Sequence, residues 1–241
     1  IRTTLWAPLQ REAVQLLQRQ LRSLLHRRVE DGAVVVLDNA SGEVLAWVGS
    51  SGLLSQAAEV DSVTALRQPG STLKPFLYAQ AMAERRLSAA SLIEDAPTHI
   101  PTAAGLYIPQ NYDRRFRGWV SVRTALGASL NIPAVRTLAM VSPDHFAQQL
   151  VRLGLPLREH GDYYGLGLAL GSPEVTLLSL ANAYRTLANQ GRHGPVAPLL
   201  AGARTMARSS AVVDPGAAFI VGDILADANA RAATFGTDSL L

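Results

Sequence analysis

RQPGSTLKPFLY, residues 67–78, places Ser71 three positions before Lys74. At helical spacing, residues i and i+3 share one face about a turn apart, so a hydroxyl and an amine can meet there. Pro75 follows, and proline is tolerated only near the first turn of a helix, so a helix begins within a few residues of Ser71. The hydroxyl then sits at a helix start, where unpaired N–H groups and the positive dipole end favour developing negative charge. This reads as a nucleophile beside a base. The same spacing also arises from a surface lysine one turn after an ordinary serine.

Composition bears on that choice. The chain has 22 lysines and arginines, and Lys74 is its one lysine. Arginine cannot give up its proton near neutral pH, whereas a buried lysine can. Lysine therefore stands at the one place where proton transfer would require it. Hydrophobic residues make up 48% of the 241 and charged residues 17%, which suits a globular chain with a real core. The absence of cysteine excludes disulfides, thiol catalysis and thiolate metal sites. No apolar run reaches the ~18 residues of a membrane span, and no signal peptide opens the chain. The start, IRTTLWAPLQ, reads as mid-protein sequence, so an excised piece of a longer protein is expected. Arg114, Arg115 and Arg117, with Phe116 and Trp119, form the densest basic cluster. Without an RNA-binding signature or zinc spacing it reads as a solvated loop, and no nucleic-acid partner is expected.

Outward from Ser71 the elements follow from periodicity. Pro8 to about Arg28 carries Leu9, Ala13, Leu16, Leu17, Leu21, Leu24 and Leu25 at helical spacing, an amphipathic helix. AVVVLD (33–38) and EVLAWVG (43–49), joined by Asn39 to Gly42, make an antiparallel hairpin. Asn39-Ala40-Ser41 fits a glycosylation sequon but reads as turn chemistry. Residues 50–66 are a loop. The helix after Ser71 runs to Arg86 and is apolar nearly all round, so it is buried, and Lys74 stands at the mouth of the core with its pKa pushed down. Residues 91–120, rich in Pro and Gly, read as a long irregular segment, of a length that is usually functional or carries short strands.

Val120 to Ala128 is helical, and Pro133 opens a further helix, Ala134 to Val141, with the residue before it extended. Ser129 and Asn131 thus fall on a tight link between two helices, from which both can point into a cleft. They also suit plain helix caps. Helices are expected from Ser142 to Leu153, from Ser172 to Leu187 and from Pro215 to Asn229, before a polar end, FGTDSLL. GLGLALG (165–171) lacks the strand-then-helix setting of a dinucleotide site, and the five histidines have no ligand spacing. No cofactor or metal is expected.

PGSTLKP, then ALGASLNIPAV, then LALGSPEVTLLSLANAYRTLANQG resemble the transpeptidase domain of bifunctional class A penicillin-binding proteins. The opening helix and the VVVLDNASGEVLAWVG hairpin resemble its start, and RQPGSTLKPFLYAQA is most similar to the penicillin-binding protein 1C type. The resemblance implies one domain over residues 1–241 with an α+β fold in α/β/α layers. An antiparallel sheet is flanked by helices, and a mostly helical subdomain, roughly residues 88–205, is inserted, as in serine β-lactamases and DD-transpeptidases. It implies that Ser71 is the acylated nucleophile, Lys74 its base, Ser129 a proton relay to the leaving amine, and Asn131 a hydrogen-bonding partner of the substrate peptide. The implied reaction passes the acyl group of a D-Ala-D-Ala peptidoglycan stem peptide through an acyl enzyme to a neighbouring stem's amine, with β-lactams trapped on the same serine. It further implies an N-terminal glycosyltransferase domain and a membrane anchor outside these residues, at the extracytoplasmic, periplasmic face of the inner membrane.

One motif of the family is absent. Its lysine-threonine-glycine strand binds the substrate carboxylate and supplies an oxyanion donor, and no lysine follows Lys74. The expectation is a chain cut before that strand, inactive by itself, its hairpin lacking central partners and leaving an unpaired edge. A β-lactam sensor, a serine β-lactamase or DD-carboxypeptidase, and a catalytically silent scaffold are the other readings.

Overall fold

A computed structural model of the chain describes residues 2–102, 105–199 and 209–236. In chain order the elements are α1 (Ala7–Leu24), β1 (Val34–Leu37), β2 (Val44–Val48), α2 (Lys74–Ala83), β3 (Leu92–Asp95), β4 (Ile100–Thr102), β5 (Gly105–Tyr107), β6 (Gly118–Ser121), α3 (Val122–Gly127), α4 (Asn131–Val141), α5 (Pro143–Arg152), α6 (Gly161–Tyr164), α7 (Leu177–Ala188), β7 (Arg192–His193), β8 (Ser210–Ala211), α8 (Pro215–Ala226) and α9 (Ala228–Phe235). The fold is α+β. Its strands pair antiparallel, β1 with β2, β3 with β6, β4 with β5 and β7 with β8, in small two-stranded sheets. Two compact units emerge. One comprises Ile1–Arg67, Leu153–Pro156 and Glu174–Val212, the other Gln68–Arg152, Leu157–Pro173 and Val213–Leu241. No described helix is long and apolar enough to cross a membrane.

In the first unit the hairpin packs against helices α1 and α7. The period-2 pattern of β2 buries Val44, Ala46 and Val48, and the helical stripe of α1 meets them with Ala13, Leu9, Val14 and Leu17. The turn is held by Asp38, whose Oδ1 accepts from Ser41 N and Ser41 Oγ, both at 2.7 Å. These bonds and the proximity of Arg185 hold the Asp38 carboxyl below the usual range. The free edge of β2 is closed by the Gln10 side chain, which imitates a strand: its amide donates to Trp47 O at 2.8 Å and accepts from Trp47 N at 2.7 Å. Among the described residues β1 pairs with β2 alone, so the unpaired edge lies on β1.

Helix α7 begins at Leu177, five residues after the expected Ser172. Val175 is held extended by two reciprocal 2.9 Å backbone bonds to Arg67, and Thr176 then caps the helix by accepting from Ser179 N at 3.0 Å. A strand-like pairing that cannot be read locally overrides the Ser-Pro-Glu start signal.

The second unit is built on α2, whose residues Lys74–Ala81 are all buried and which packs on α4 and α8, with α3 and α5 also against it. The helix stops at Ala83, three residues short of the expected Arg86, because Arg85 turns left-handed (φ 56°) and Arg86 N reaches back to Ala81 O. The irregular stretch from 91 carries four short strands, β3 to β6, the last running to Ser121. Helix α3 therefore starts two residues later than expected, capped by Ser121 Oγ on Thr124 N. Helix α4 begins at Asn131, with Pro133 inside its first turn, so the extended residue is Leu130 (ψ 138°) and not Ile132. The last expected helix is broken at Asp227, whose carboxyl caps α9 on Asn229 N and Ala230 N while Arg123 pairs with both Asp227 and Asp223. Of FGTDSLL, residues 237–241 lie outside the described residues, as does the part of the expected helical subdomain beyond 199.

Candidate active site

Lys74 is the first residue of α2 and is 1% exposed. Burial pulls its amine down to about 7, because the charged form loses its hydration. Its Nζ donates to Ser129 O at 2.7 Å, to Asn131 Oδ1 at 2.7 Å and to Ser129 Oγ at 3.2 Å. Three of the four residues singled out in sequence are therefore in one hydrogen-bonded group. The fourth, Ser71, is exposed on a 3-10 turn, Gly70–Leu73, that leads into α2. Among the described residues its Oγ makes no hydrogen bond, so hydroxyl and amine stand three positions apart in the chain but are not bonded to each other.

The link between α3 and α4 owes its shape to Ser129. Its N–H donates to Leu126 O and that of Leu130 to Ala125 O, the paired bonds that end a helix through a left-handed residue, and Ser129 takes that conformation with φ 55°. Glycine is the usual occupant. Serine here turns its carbonyl onto Lys74 and keeps a hydroxyl at the same spot.

Asn131 is held at both ends. Its Nδ2 donates to Gln110 O at 2.8 Å and its backbone N–H to Asn111 Oδ1 at 2.9 Å. Asn111 is buried, and its Nδ2 donates to both carboxyl oxygens of Asp95, at 2.8 and 2.9 Å, and to Arg115 O at 2.8 Å. Asp95 has no exposed surface and also accepts from Arg117 N at 3.0 Å. The sequence singles out none of Gln110, Asn111 and Asp95, polar residues of the Pro- and Gly-rich stretch 91–120. It also gives no role to GLGLALG. Gly171 has φ 77°, and a Cβ there would lie 2.1 Å from Gly70 O, so the glycine loop packs directly on the backbone before Ser71.

The histidines are apart from this group. His193 Nδ1 lies 3.0 Å from Thr186 Oγ1 in the first unit, and no metal-binding group of His, Asp and Glu occurs among the described residues.

Comparison with known proteins agrees with the motifs. Residues 32–232 match the family described as the penicillin binding protein transpeptidase domain. The chain is 38% identical over 235 residues to penicillin-binding protein 1C of Escherichia coli, covering 94% of the chain and 29% of that relative. It is 36% identical over 163 residues to penicillin-binding protein 1A of Neisseria meningitidis, covering 66% of the chain and 20% of that relative. Among solved structures, penicillin-binding protein 1A of Haemophilus influenzae superposes with a TM-score of 0.69 at 26% identity, over 81% of this chain and 34% of that one. The chain therefore spans less than a third of the length of these curated relatives. It belongs to the penicillin-binding protein transpeptidase domain family.

Proposed function

We propose that residues 1–241 are part of one peptidoglycan DD-transpeptidase domain that works through an acyl enzyme on Ser71. The observation that carries this reading is Lys74: a wholly buried amine, near pKa 7, held by the carbonyl oxygens of Ser129 and Asn131. A neutral lysine amine has two N–H groups and one lone pair. The two carbonyl oxygens take the two N–H groups, which leaves the lone pair for a hydroxyl. The chemistry then runs through these atoms. Ser71 Oγ attacks the carbonyl carbon of the penultimate D-Ala while its proton passes to Lys74 Nζ. Ser129 Oγ, 3.2 Å from Nζ, hands a proton to the departing D-Ala amine as the C–N bond breaks and takes one back from Lys74 Nζ, which is neutral again. A neighbouring stem's amine attacks the ester and loses a proton to Lys74, which passes it to Ser71 Oγ as the ester C–O bond breaks. Asn131 in this reading contributes its amide to the stem peptide after exchanging its bond to Gln110 O. No cofactor takes part.

β-Lactams acylate the same serine by opening the strained amide, with no amine leaving. A glycosyltransferase domain and a membrane anchor belong to the longer protein, and the site acts at the extracytoplasmic face. Tested alone, residues 1–241 lack a lysine-threonine-glycine strand and are expected to be inactive in cross-linking, since loss of one oxyanion donor costs ~10²–10³ in rate. The reading is tested by trapping of labelled benzylpenicillin and its loss in Ser71→Ala.

A further inference from the structure

Asp95, Asn111 and Asn131 form a polar chain that ends on Lys74, and its first two members are buried where a polar side chain is costly unless bonded. Both ends of the Asn111 amide are used. The oxygen takes the N–H of Asn131, a first-turn donor of α4 that has no partner within the helix. It also lies 3.5 Å from Ile132 N. The nitrogen is fixed on two carboxyl oxygens and a carbonyl. This arrangement orients the asparagine uniquely, since a flipped amide would set its nitrogen against Asn131 N–H and its oxygen against the Asp95 carboxyl.

We propose that Asn111 is a positioning residue: clamped to Asp95, it fixes the first turn of α4 and so holds the Asn131 oxygen on Lys74. Through that oxygen, and through Ser129 one turn-residue away, it sets the direction of the lysine lone pair. Its role in catalysis rests on the acyl-transfer reading above; its effect on Lys74 does not. The titratable side chains on the helices packed against α2 are Arg123, Arg136, Asp144, His145, Arg152 and Asp223, and α2 itself carries Tyr78. Burial, not one of these charges, is what lowers Lys74.

Lys74 is the one lysine of the chain, so lysine labelled with 13C at Cε gives a single resonance. Its titration reads Lys74 directly, with no substrate. Removing an acceptor that favours the ammonium lowers the pKa, so Asn111→Ala is expected to titrate about half a unit or more below the wild type. A protein that merely loses folded fraction would lose signal without moving the midpoint. Asn111→Ser, a milder change that keeps an oxygen, is expected to fall between, and serves if the alanine variant does not fold. A midpoint unchanged or raised in whichever variant is folded by circular dichroism overturns the proposal. If the folded chain continued through a lysine-threonine-glycine strand failed to trap benzylpenicillin yet the midpoint moved as expected, the acyl-transfer reading would fall and the positioning role would stand.

Discussion

Ser129 closes α3 in the left-handed conformation, and from there its carbonyl oxygen accepts from Lys74 at 2.7 Å. Fold and site make different demands on that position. The backbone prefers glycine, because a side chain at positive φ costs ~1 kcal/mol, whereas the proposed proton relay uses the hydroxyl. Ser129→Gly is therefore expected to leave the thermal midpoint unchanged or raised by the equivalent of up to ~1 kcal/mol while transpeptidation by the whole protein falls sharply. Parallel melting curves and cross-linking assays check both halves, and an active, destabilised variant would contradict them.

The proton affinity of Lys74 gives the site a pH signature. A base must be neutral, so the acylation rate is expected to rise with pH through about 7 and level off above it. Stability follows the same group. Between about 7 and the ordinary 10.5 the unfolded chain holds a proton that the folded one has released, so stability rises with pH across that window. Below about 7 both states are protonated and the group adds no slope. Its full contribution is bounded at about 5 kcal/mol by ~1.4 kcal/mol per unit. Urea titrations from pH 7 to 10 should show the wild type gaining on Lys74→Met, and parallel curves would count against the buried, neutral amine.

Two glycines in the second unit should respond in opposite directions to alanine. Gly171→Ala sets a methyl 2.1 Å from Gly70 O and 2.4 Å from Gly70 N, at a φ of 77°. Backbone must move, and the backbone in question precedes Ser71, so a loss of roughly 2 kcal/mol or more together with slower acylation is expected. Gly222, in α8, is exposed, with no atom within 4 Å of a Cβ. There alanine is expected to add about 0.5–1 kcal/mol through helix propensity and leave acylation alone. Chemical denaturation of the two variants distinguishes them.

Arg185 of α7 is 8% exposed and ties the hairpin turn to the chain after α7. Its Nε donates to Asn39 O at 2.9 Å and its Nη1 to Asn182 Oδ1, Gly194 O and Pro195 O at 3.0–3.2 Å. Alanine here removes a buried guanidinium that joins four acceptors and leaves the buried Asn182 Oδ1 without that donor, and a loss of about 3 kcal/mol is expected in denaturant titrations. Lysine, lacking the planar fork, should recover only a minor part.

How much of this was legible depended on range. The stripe of α1, the β1–β2 hairpin and the buried run of α2 are local patterns with one reading each, and they stand within a few residues of where the sequence put them. The serine-lysine spacing and the solitary lysine pointed to the candidate site, and the Pro133 signal put Ser129 and Asn131 on a helix link. What escaped was decided by distant partners. Val175 is extended because Arg67 pairs with it, and Asp227 breaks a helix where Arg123 and two backbone amides converge. Asn111 became part of the site only through Asp95 and Asn131, 16 and 20 residues away. The unbonded Ser71 hydroxyl was likewise hidden, because spacing tells which residues share a face and not which acceptors Lys74 meets first.

The most direct test of the account is the intact mass of the folded protein after incubation with benzylpenicillin. It would be run on residues 1–241 and on the same residues continued through a lysine-threonine-glycine strand, each beside its Ser71→Ala variant. The account expects one penicilloyl adduct on the longer chain, absent from Ser71→Ala, and labelling of residues 1–241 slower by ~10² or more. No adduct on either folded chain, or an adduct that persists in Ser71→Ala, would contradict the assignment of Ser71 as the acylated nucleophile.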